Sequence, residues 1–378
     1  MTMDNFELHP HAHEITDWDQ QVYRQLVSVE LTPQQIEHLR NPKQTYDRED
    51  AVLAIHWHPE MVPVPLVKER LDKMFPNAVE KLFIPTQHNI LMVCNGLAGV
   101  EVDCQATDFN RKIQLLFHFL EDRLEEAPIL KSMLAHTYQY RQSQFYDYLE
   151  TVINPRFEDR LQEAVRVTGM EESIVRLIRT YAEKLKNLLD ANYAQTPDMS
   201  IKNKLLTNYF SRLREFYDAH IIEKAIILLL EVKKIVKCHF PPDYFYDVRE
   251  VIEEARAYGA GIVIPHPEQF WPVLLADYDI DGIEVWNPQS REFTEFLIQV
   301  VIRKNRERRH AERSLLVMMG DDCHLSAKLL GADAQKQDSA GREVGYQPAW
   351  HEISIRKSLK MGNFDRKCIM EEYRSRLR

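Results

Sequence analysis

The fold is decided by residues 261–287, GIVIPHPEQFWPVLLADYDIDGIEVWN. Residues 261–265 form a continuous apolar run after a glycine, which predicts a buried parallel strand covered on both faces. His266 follows at the carboxyl end of that strand, where parallel α/β folds place their chemistry. Residues 282–286 predict a second strand, and its one carboxylate, Glu284, needs a partner because a lone buried charge is costly.

Histidines and carboxylates also follow other predicted strands. These are residues 5–8 before His9 and His11, residues 51–55 before His56 and His58, and residues 314–319 before Asp322 and His324. In an extended segment, residues two apart point the same way, so His9 and His11 could share one metal. Recurrence at successive strand ends is the pattern of a metal site on a barrel.

The middle of the chain has a different character. Between residues 121 and 240 Gly169 is the only glycine, and apolar residues recur with helical spacing. One such face comprises Ile174, Leu177, Ile178, Tyr181, Leu185, Leu188 and Leu189. This predicts an all-helical insertion. The expected segments are a first barrel part (1–120), the insertion (121–240), a second barrel part (241–330), and a loop with a helical tail (331–378).

Composition limits the class of protein. A hydrophobic content of 44% is ample for a core, and a net charge of −10 argues against broad binding to nucleic acid. The five cysteines form no CxxC pair, which predicts reduced thiols in the cytoplasm. The N-terminus is too polar for a signal peptide, and no stretch is expected to span or bind a membrane.

The motifs occur in a recognisable order. In chain order they are ELHPH, HWH, GVEVD, IPHPE, DGIEVWN and GDDCH. Their series resembles the motifs of the PHP (polymerase and histidinol phosphatase) superfamily. The resemblance covers roughly residues 5–120 and 245–330, and leaves the helical block unmatched. It implies an α/β fold, namely a distorted (βα)7 PHP-type barrel with a large all-helical insertion. It also implies two or three divalent metal ions at the C-terminal face of the barrel.

The resemblance assigns roles to individual residues. The metal ligands it implies are His9, His11, Asp17, His58, Glu101, His266, Asp322 and His324, with Glu101 as the bridging carboxylate. Glu101, His266 and Asp322 are the implied catalytic residues. Where the family usually has a ligand histidine on the next strand, this chain has Gln114. His118 faces the same side and could substitute if the strand register shifts. Because the amide of Gln114 is a weaker ligand than an imidazole, we expect two tightly bound metal ions and a weakly bound third.

The chemistry of these residues supports the same site. Imidazole nitrogens and carboxylate oxygens suit Zn, Mn or Fe, and no set of thiolates is present to build a structural zinc site. Glu284 and Gln114 are expected behind the ligands, orienting a ligand or a metal-bound water. Arg291 and Arg141 are candidates for holding phosphate oxygens of the substrate.

These features predict an enzyme, a cytoplasmic metal-dependent phosphoesterase that hydrolyses a small-molecule or nucleotide phosphomonoester. One alternative is an exonuclease or phosphodiesterase with the same metal site, guiding a strand along the helical block and the basic run at residues 303–313. Another is a degenerate barrel that serves as a binding or scaffold module. The expected partner is a small phosphorylated molecule rather than long nucleic acid, and the oligomeric state stays open.

Overall fold

The computed structural model describes residues 6–307, 313–329 and 341–378. The chain forms two compact units, each described by itself below. The helical unit comprises residues 6–30 and 139–241, and the sheet unit comprises the described residues of 31–138 and 242–378. Helices and strands are both abundant, which confirms the α/β class. No helix of the described ranges combines the length and apolarity that crossing a bilayer requires.

All strands of the described residues lie in the sheet unit. They are β1 (Ala51–Ala54), β2 (Trp57–His58), β3 (Glu80–Phe83), β4 (Met92–Cys94), β5 (Leu97–Ala106), β6 (Arg111–Leu120), β7 (Gly261–Ile264), β8 (Gly282–Trp286), β9 (Leu316–Met319) and β10 (Cys323–His324). The predicted strands therefore exist, with ends shifted by a few residues. The strand expected at residues 5–8 is an exception, because the described residues 6–8 have no regular structure.

The helices of the described residues divide between the two units. They are α1 (Asp17–Val27), α2 (Pro33–Arg40), α3 (Val64–Met74), α4 (Pro128–Tyr138), α5 (Tyr140–Ile153), α6 (Glu158–Thr168), α7 (Glu172–Asn192), α8 (Lys204–Arg212), α9 (Ala219–His239), α10 (Val248–Ala257), α11 (Thr294–Glu307), α12 (Leu325–Lys328), α13 (Ile353–Met361) and α14 (Arg366–Arg376). The helical unit contains α1 and α5 to α9, and the sheet unit contains the rest.

Strands β4 to β9 form one six-stranded sheet in sequence order. β7 pairs in parallel with β8, and β8 in parallel with β9. β7 is antiparallel to β6, however. The expectation of a parallel strand is therefore correct for the β8 side of β7 and wrong for the β6 side. The reason is the long hairpin of β5 and β6, whose connection turns at Asn110 with a positive φ of 49°. It brings β6 back beside β7 in the opposite direction.

Two short parallel pairs complete the sheet unit. β1 pairs with β3, and β10 pairs with β2. Further hydrogen bonds tie these pairs together and to the large sheet, namely those from Ile84 N to Ala54 O (2.8 Å), from Asp322 N to His56 O (2.9 Å), and from Gln347 Nε2 to Leu53 O (2.6 Å) and Met319 O (2.7 Å). Strand pairing alone closes no barrel among the described residues, so the (βα)7 barrel stays a prediction. The carboxyl ends of β1 and β9 nevertheless lie close together.

A glycine allows a close approach of two backbone segments inside this unit. A Cβ atom added at Gly99 of β5 would lie 2.3 Å from the carbonyl oxygen of Pro85, closer than any side chain tolerates. β5 can therefore run directly against the segment that follows β3. This contact brings Glu101, two residues further along β5, next to residues 87–89.

The helical unit has its own apolar core. The predicted face of α7, residues 174–189, is buried against α1, α5, α8 and α9. At the start of α2, in the sheet unit, Thr32 accepts a hydrogen bond from Gln35 N, and Pro33 is the first helical residue. The predicted face of α7 is confirmed, and the start of α2 matches the capping signal of Thr32 and Pro33, because both features depend on local spacing and capping rather than on distant contacts. The loop expected at residues 331–345 lies outside the described residues as far as residue 340.

Candidate metal centre

Two histidines are carried by the segment that follows β1. β1 ends at Ala54, and the chain continues through His56 into the two-residue strand β2. β2 pairs in parallel with β10, which places His58 opposite His324. Their imidazole rings stack with centroids 4.2 Å apart. The strand pairing therefore joins the beginning of the sheet unit to residues more than 260 positions later.

Glu101 on β5 is buried and faces four histidines. Its Oε1 lies 3.2 Å from His266 Nε2 and 3.8 Å from His56 Nε2. Its Oε2 lies 2.5 Å from His88 Nδ1 and 3.6 Å from His58 Nε2. Each oxygen of one carboxylate thus faces a different pair of imidazoles, an arrangement suited to bridging two metal ions.

The two carboxylate oxygens of Asp322 also face different neighbours. Its Oδ1 faces the nitrogens His58 Nε2 (3.4 Å), His324 Nε2 (3.5 Å) and His56 Nε2 (3.7 Å). Its Oδ2 accepts hydrogen bonds from Gln289 Nε2 (3.1 Å) and Arg342 Nη1 (2.9 Å). One oxygen is therefore directed into the histidine cluster, and the other is held from outside it.

Glu284 on β8 supports two members of the cluster. Its Oε2 lies 2.6 Å from His56 Nδ1, and its Oε1 accepts a hydrogen bond from the backbone N–H of His266 (3.1 Å). That bond fixes a backbone with a positive φ of 30° at His266. A Cβ atom at Gly320 would come within 1.9 Å of Glu284 Oε2, so only glycine fits there. Because Nδ1 of His56 is engaged by the carboxylate, its Nε2 is left to face the centre.

Burial and neighbouring charges act in opposite directions on these groups. Burial alone would lower the pKa of His56, but the Glu284 carboxylate raises it to about 10. Burial together with His324 and His88 lowers the pKa of His58 to about 3. Burial opposes ionisation of Glu101 and Asp322, yet the adjacent histidines hold the pKa of both carboxyls well below the usual range. Near neutral pH the centre has charged carboxylates and an uncharged imidazole at His58.

Several buried polar atoms of the centre have no hydrogen-bond partner within the described residues. They are His56 Nε2, both ring nitrogens of His58, and His324 Nδ1. Three groups of side chains bring their ligand atoms within 4.8 Å of one another: His58, His88 and His324; His56, Glu101 and His266; and His56, His58 and Asp322. Unpartnered buried nitrogens are costly unless they ligate. The donor set therefore fits divalent metal ions of the Zn, Mn or Fe type.

Five residues expected as ligands meet in this centre, namely His58, Glu101, His266, Asp322 and His324. Three others lie in the helical unit and in none of the groups just described. His9 donates its backbone N–H to Tyr217 Oη (2.8 Å), and the backbone oxygen of His11 accepts a bond from Lys184 Nζ (3.0 Å). Asp17 is the exposed first residue of α1. Their role as ligands stays a prediction.

The residue expected to support the ligands lies at the centre, whereas the two arginines expected to bind substrate lie elsewhere in the chain. Gln114 Nε2 lies 3.3 Å from His88 Nδ1, at the edge of the centre. Arg291 is exposed in a 3-10 turn, Arg291–Phe293, that follows β8. Arg141 belongs to α5 of the helical unit. Binding of substrate by either arginine stays a prediction.

Four residues that contact the centre were given no role from the sequence: His56, His88, Gln289 and Arg342. Two of them had a recognisable pattern. His56 and His58 repeat the His-x-His spacing of His9 and His11, and His88 lies five residues after the end of β3. Gln289 and Arg342 had none, because their contacts with Asp322 join residues 33 and 20 positions apart in loops.

His118 is held away from the centre by its own hydrogen bonds. Its Nε2 lies 2.9 Å from the carbonyl oxygen of Ile55, and its Nδ1 lies 2.6 Å from Tyr373 Oη. Because a carbonyl oxygen only accepts, Nε2 carries the proton and Nδ1 accepts from the tyrosine. Both nitrogens of the neutral ring are used, so His118 has none to offer as the alternative ligand to Gln114.

We expect His118 to make the protein acid-sensitive. Burial lowers the pKa of this imidazole to about 3, whereas in the unfolded chain it is about 6.5. The unfolded state therefore binds more protons between these values, and the stabilisation by neutral His118 is lost as pH falls below about 6.5. Denaturant unfolding of wild type and His118→Gln between pH 7 and 4 should show a shallower pH dependence for the variant. The difference in slope is at most about 1.4 kcal/mol per pH unit.

Two outcomes would contradict this description of His118. Parallel pH dependences in wild type and variant would show that the imidazole is not neutral and buried. A metal content that falls from three ions to two in His118→Ala would show that it is a ligand after all.

No protein-family model matches this chain, and no curated protein matches it. Among solved structures, it is similar to a candidate metal-dependent phosphoesterase of Bifidobacterium adolescentis, with 14% sequence identity and a TM-score of 0.41. The similarity covers 86% of this chain and 99% of the other. The function of the present chain has to be inferred from the side chains of its centre.

Proposed function

We propose that this protein is a metal-dependent phosphoesterase, and that its preferred substrate is a phosphomonoester of a small molecule or nucleotide. The observation that carries the proposal is Glu101, whose two oxygens face two different pairs of histidines. Five of the residues that the PHP resemblance implies as ligands also lie in this one centre. We further propose that the strands of the sheet unit form the distorted PHP-type barrel.

The donors would hold the ions in overlapping sets. His56 and His58 each belong to two of the three groups, so neighbouring ions would share ligands or lie close together. Divalent ions supply Lewis acidity toward a phosphoryl oxygen and lower the pKa of bound water. Two tight sites and a weaker third remain our expectation, because Gln114 offers an amide where an imidazole would bind a borderline metal better.

The chain's own residues prepare the site in three ways. Glu284 holds the ring of His56 so that Nε2 faces inward. Burial keeps His58 uncharged near neutral pH, so its nitrogen is available as a donor. Gln289 and Arg342 hold Oδ2 of Asp322, which leaves Oδ1 directed at the histidines. A phosphate ester entering this centre would meet donors most of which are buried and already oriented by their neighbours.

A small substrate is favoured over a long nucleic acid by charge. The chain has a net charge of −10, which repels a polyanion. The basic run at residues 303–313 is one of the two features expected to guide a strand in the exonuclease alternative, and residues 308–312 lie outside the described part. In the described part, Arg303 is paired with Glu307 at 2.9 Å on an exposed face of α11. The scaffold alternative leaves the unpartnered donors of the centre without a purpose.

The test combines metal analysis with a substrate panel. Purified full-length protein, loaded with Zn, Mn or Fe in turn, should contain at least two ions per chain. It should release phosphate from some members of a panel of sugar phosphates, nucleoside monophosphates and nucleoside bisphosphates. Salt-sensitive cleavage of oligonucleotides without release from the small esters would favour the nuclease. Protein that binds no metal and releases no phosphate would contradict the proposal.

A further inference from the structure

A short segment, residues 341–347, is fixed firmly beside the metal centre. Glu343 accepts two bonds from Arg70 Nη2 (2.8 and 3.0 Å) and one from Lys328 Nζ (3.0 Å). Val344 is buried in an apolar cluster with β1 and α3. Gly345 donates its N–H to Asp321 Oδ2 at 2.8 Å. A segment held at successive residues presents any side chain it carries in one defined position.

Arg342 is the residue that this segment presents to the centre. Its side chain is only 10% exposed, and Nη1 donates to both the carbonyl oxygen and Oδ2 of Asp322, each at 2.9 Å. Its Nε is buried and has no hydrogen-bond partner within the described residues. A guanidinium donates from five N–H groups, and a buried donor left without an acceptor is costly. One edge of Arg342 therefore holds Asp322, while Nε lacks an acceptor.

We infer that Arg342 binds the phosphate group of the substrate through its Nε edge while Nη1 keeps Asp322 in place. A planar guanidinium matches the oxygens of a phosphate with two parallel hydrogen bonds, and a phosphate would supply the acceptor that Nε lacks. This inference rests on the proposed phosphoesterase function. It assigns substrate binding to Arg342, which contacts Asp322 of the centre, rather than to Arg291 or Arg141.

The competing explanation is that Arg342 only orients Asp322. Gln289 offers the means to separate the two, because it donates to the same Oδ2 at 3.1 Å and carries no charge. If orientation were the whole role, removing either partner would weaken metal binding in a similar way. Binding of phosphate itself requires the guanidinium and not the amide.

Calorimetry with inorganic phosphate on the metal-loaded full-length protein tests the inference. Arg342→Lys keeps a positive charge beside Asp322 but removes the planar fork. We expect it to weaken phosphate binding about 10- to 100-fold, because a charge-assisted hydrogen bond usually contributes a factor of that size to affinity. The metal content should stay unchanged. Gln289→Ala should lose less phosphate affinity than Arg342→Lys, because the amide holds the same oxygen of Asp322 but offers no guanidinium to the phosphate. Arg356→Gln, which removes a charge from an exposed position on α13, is the control for net charge.

Wild-type phosphate affinity in Arg342→Lys and Arg342→Gln would overturn the inference. So would equal losses of metal and phosphate in Arg342→Gln and Gln289→Ala, which would assign Arg342 to orienting Asp322. Phosphate release by the wild type is measured in parallel. An active wild type with Arg342-independent phosphate binding overturns only this inference. An inactive wild type whose phosphate binding depends on Arg342 overturns the proposed hydrolysis and supports the anion site.

Discussion

Replacing Glu101 by glutamine should lower phosphate release about a thousandfold or more and remove at least one bound metal ion per chain. The substitution keeps the size of the side chain but replaces a charged oxygen with an amide nitrogen that cannot ligate. Both oxygens of Glu101 face imidazoles. Whichever oxygen becomes the amide nitrogen, one proposed metal position therefore loses a donor. Metal ions stabilise the charge of the transition state by several kcal/mol, and each 1.4 kcal/mol is a factor of ten in rate.

The matched control for Glu101 is Asp103, two residues along the same strand. It is also buried, it accepts a hydrogen bond from Asn89 Nδ2 (2.7 Å) and pairs with Lys112, and it belongs to none of the metal groups of the described residues. Asp103→Asn should keep its metal and most of its activity, although weakening the ion pair with the half-exposed Lys112 will reduce its stability. If Glu101→Gln retained full metal content and near-wild-type turnover, the bridging role of Glu101 would be excluded.

Replacing Lys184 by methionine should destabilise the protein by about 3–5 kcal/mol. Lys184 is a buried cation on α7, and it donates to Asp19 Oδ2 and to the backbone oxygen of His11, each at 3.0 Å. Without it, the buried Asp19 carboxylate keeps hydrogen bonds from Tyr209 and Thr16 but loses its counter-ion. A buried charge without a counter-ion destabilises the folded state far more than a buried ion pair does. Denaturant unfolding followed by far-ultraviolet circular dichroism measures the effect.

Lys186 provides the comparison on the same helix. It is half-buried and makes only loose surface pairs with Glu150 (3.9 Å) and Asp190 (3.5 Å). Lys186→Met should therefore change the free energy of unfolding by less than about 1 kcal/mol. The double variant Lys184→Met with Asp19→Leu should recover part of the loss, because no charge is then left buried. Equal effects of Lys184→Met and Lys186→Met would refute the buried pair as the cause.

The amino-acid sequence alone determined the local features of this protein. The apolar runs of β7 and β8 identify two adjacent buried strands, since such runs satisfy both faces of a sheet. The helical face of α7 and the capped start of α2 follow from spacings of three and four residues. The places of His266, Asp322 and His324 in the centre also follow from the sequence, because each lies within five residues after the end of β7 or β9.

Only the tertiary structure decided which of several histidines share a centre. His9 with His11 and His56 with His58 have the same spacing, but only the second pair includes a residue, His58, on a strand that pairs with β10. His118 and Gln114 face the same side of β6, yet four residues of extended chain separate them by about 13 Å, enough to take one of them out of reach. Arg342 contacts Asp322 only because Glu343 and Gly345 are anchored by distant residues. Strand periodicity fixes the direction of a side chain, whereas the pairing of distant strands and loops fixes its neighbours.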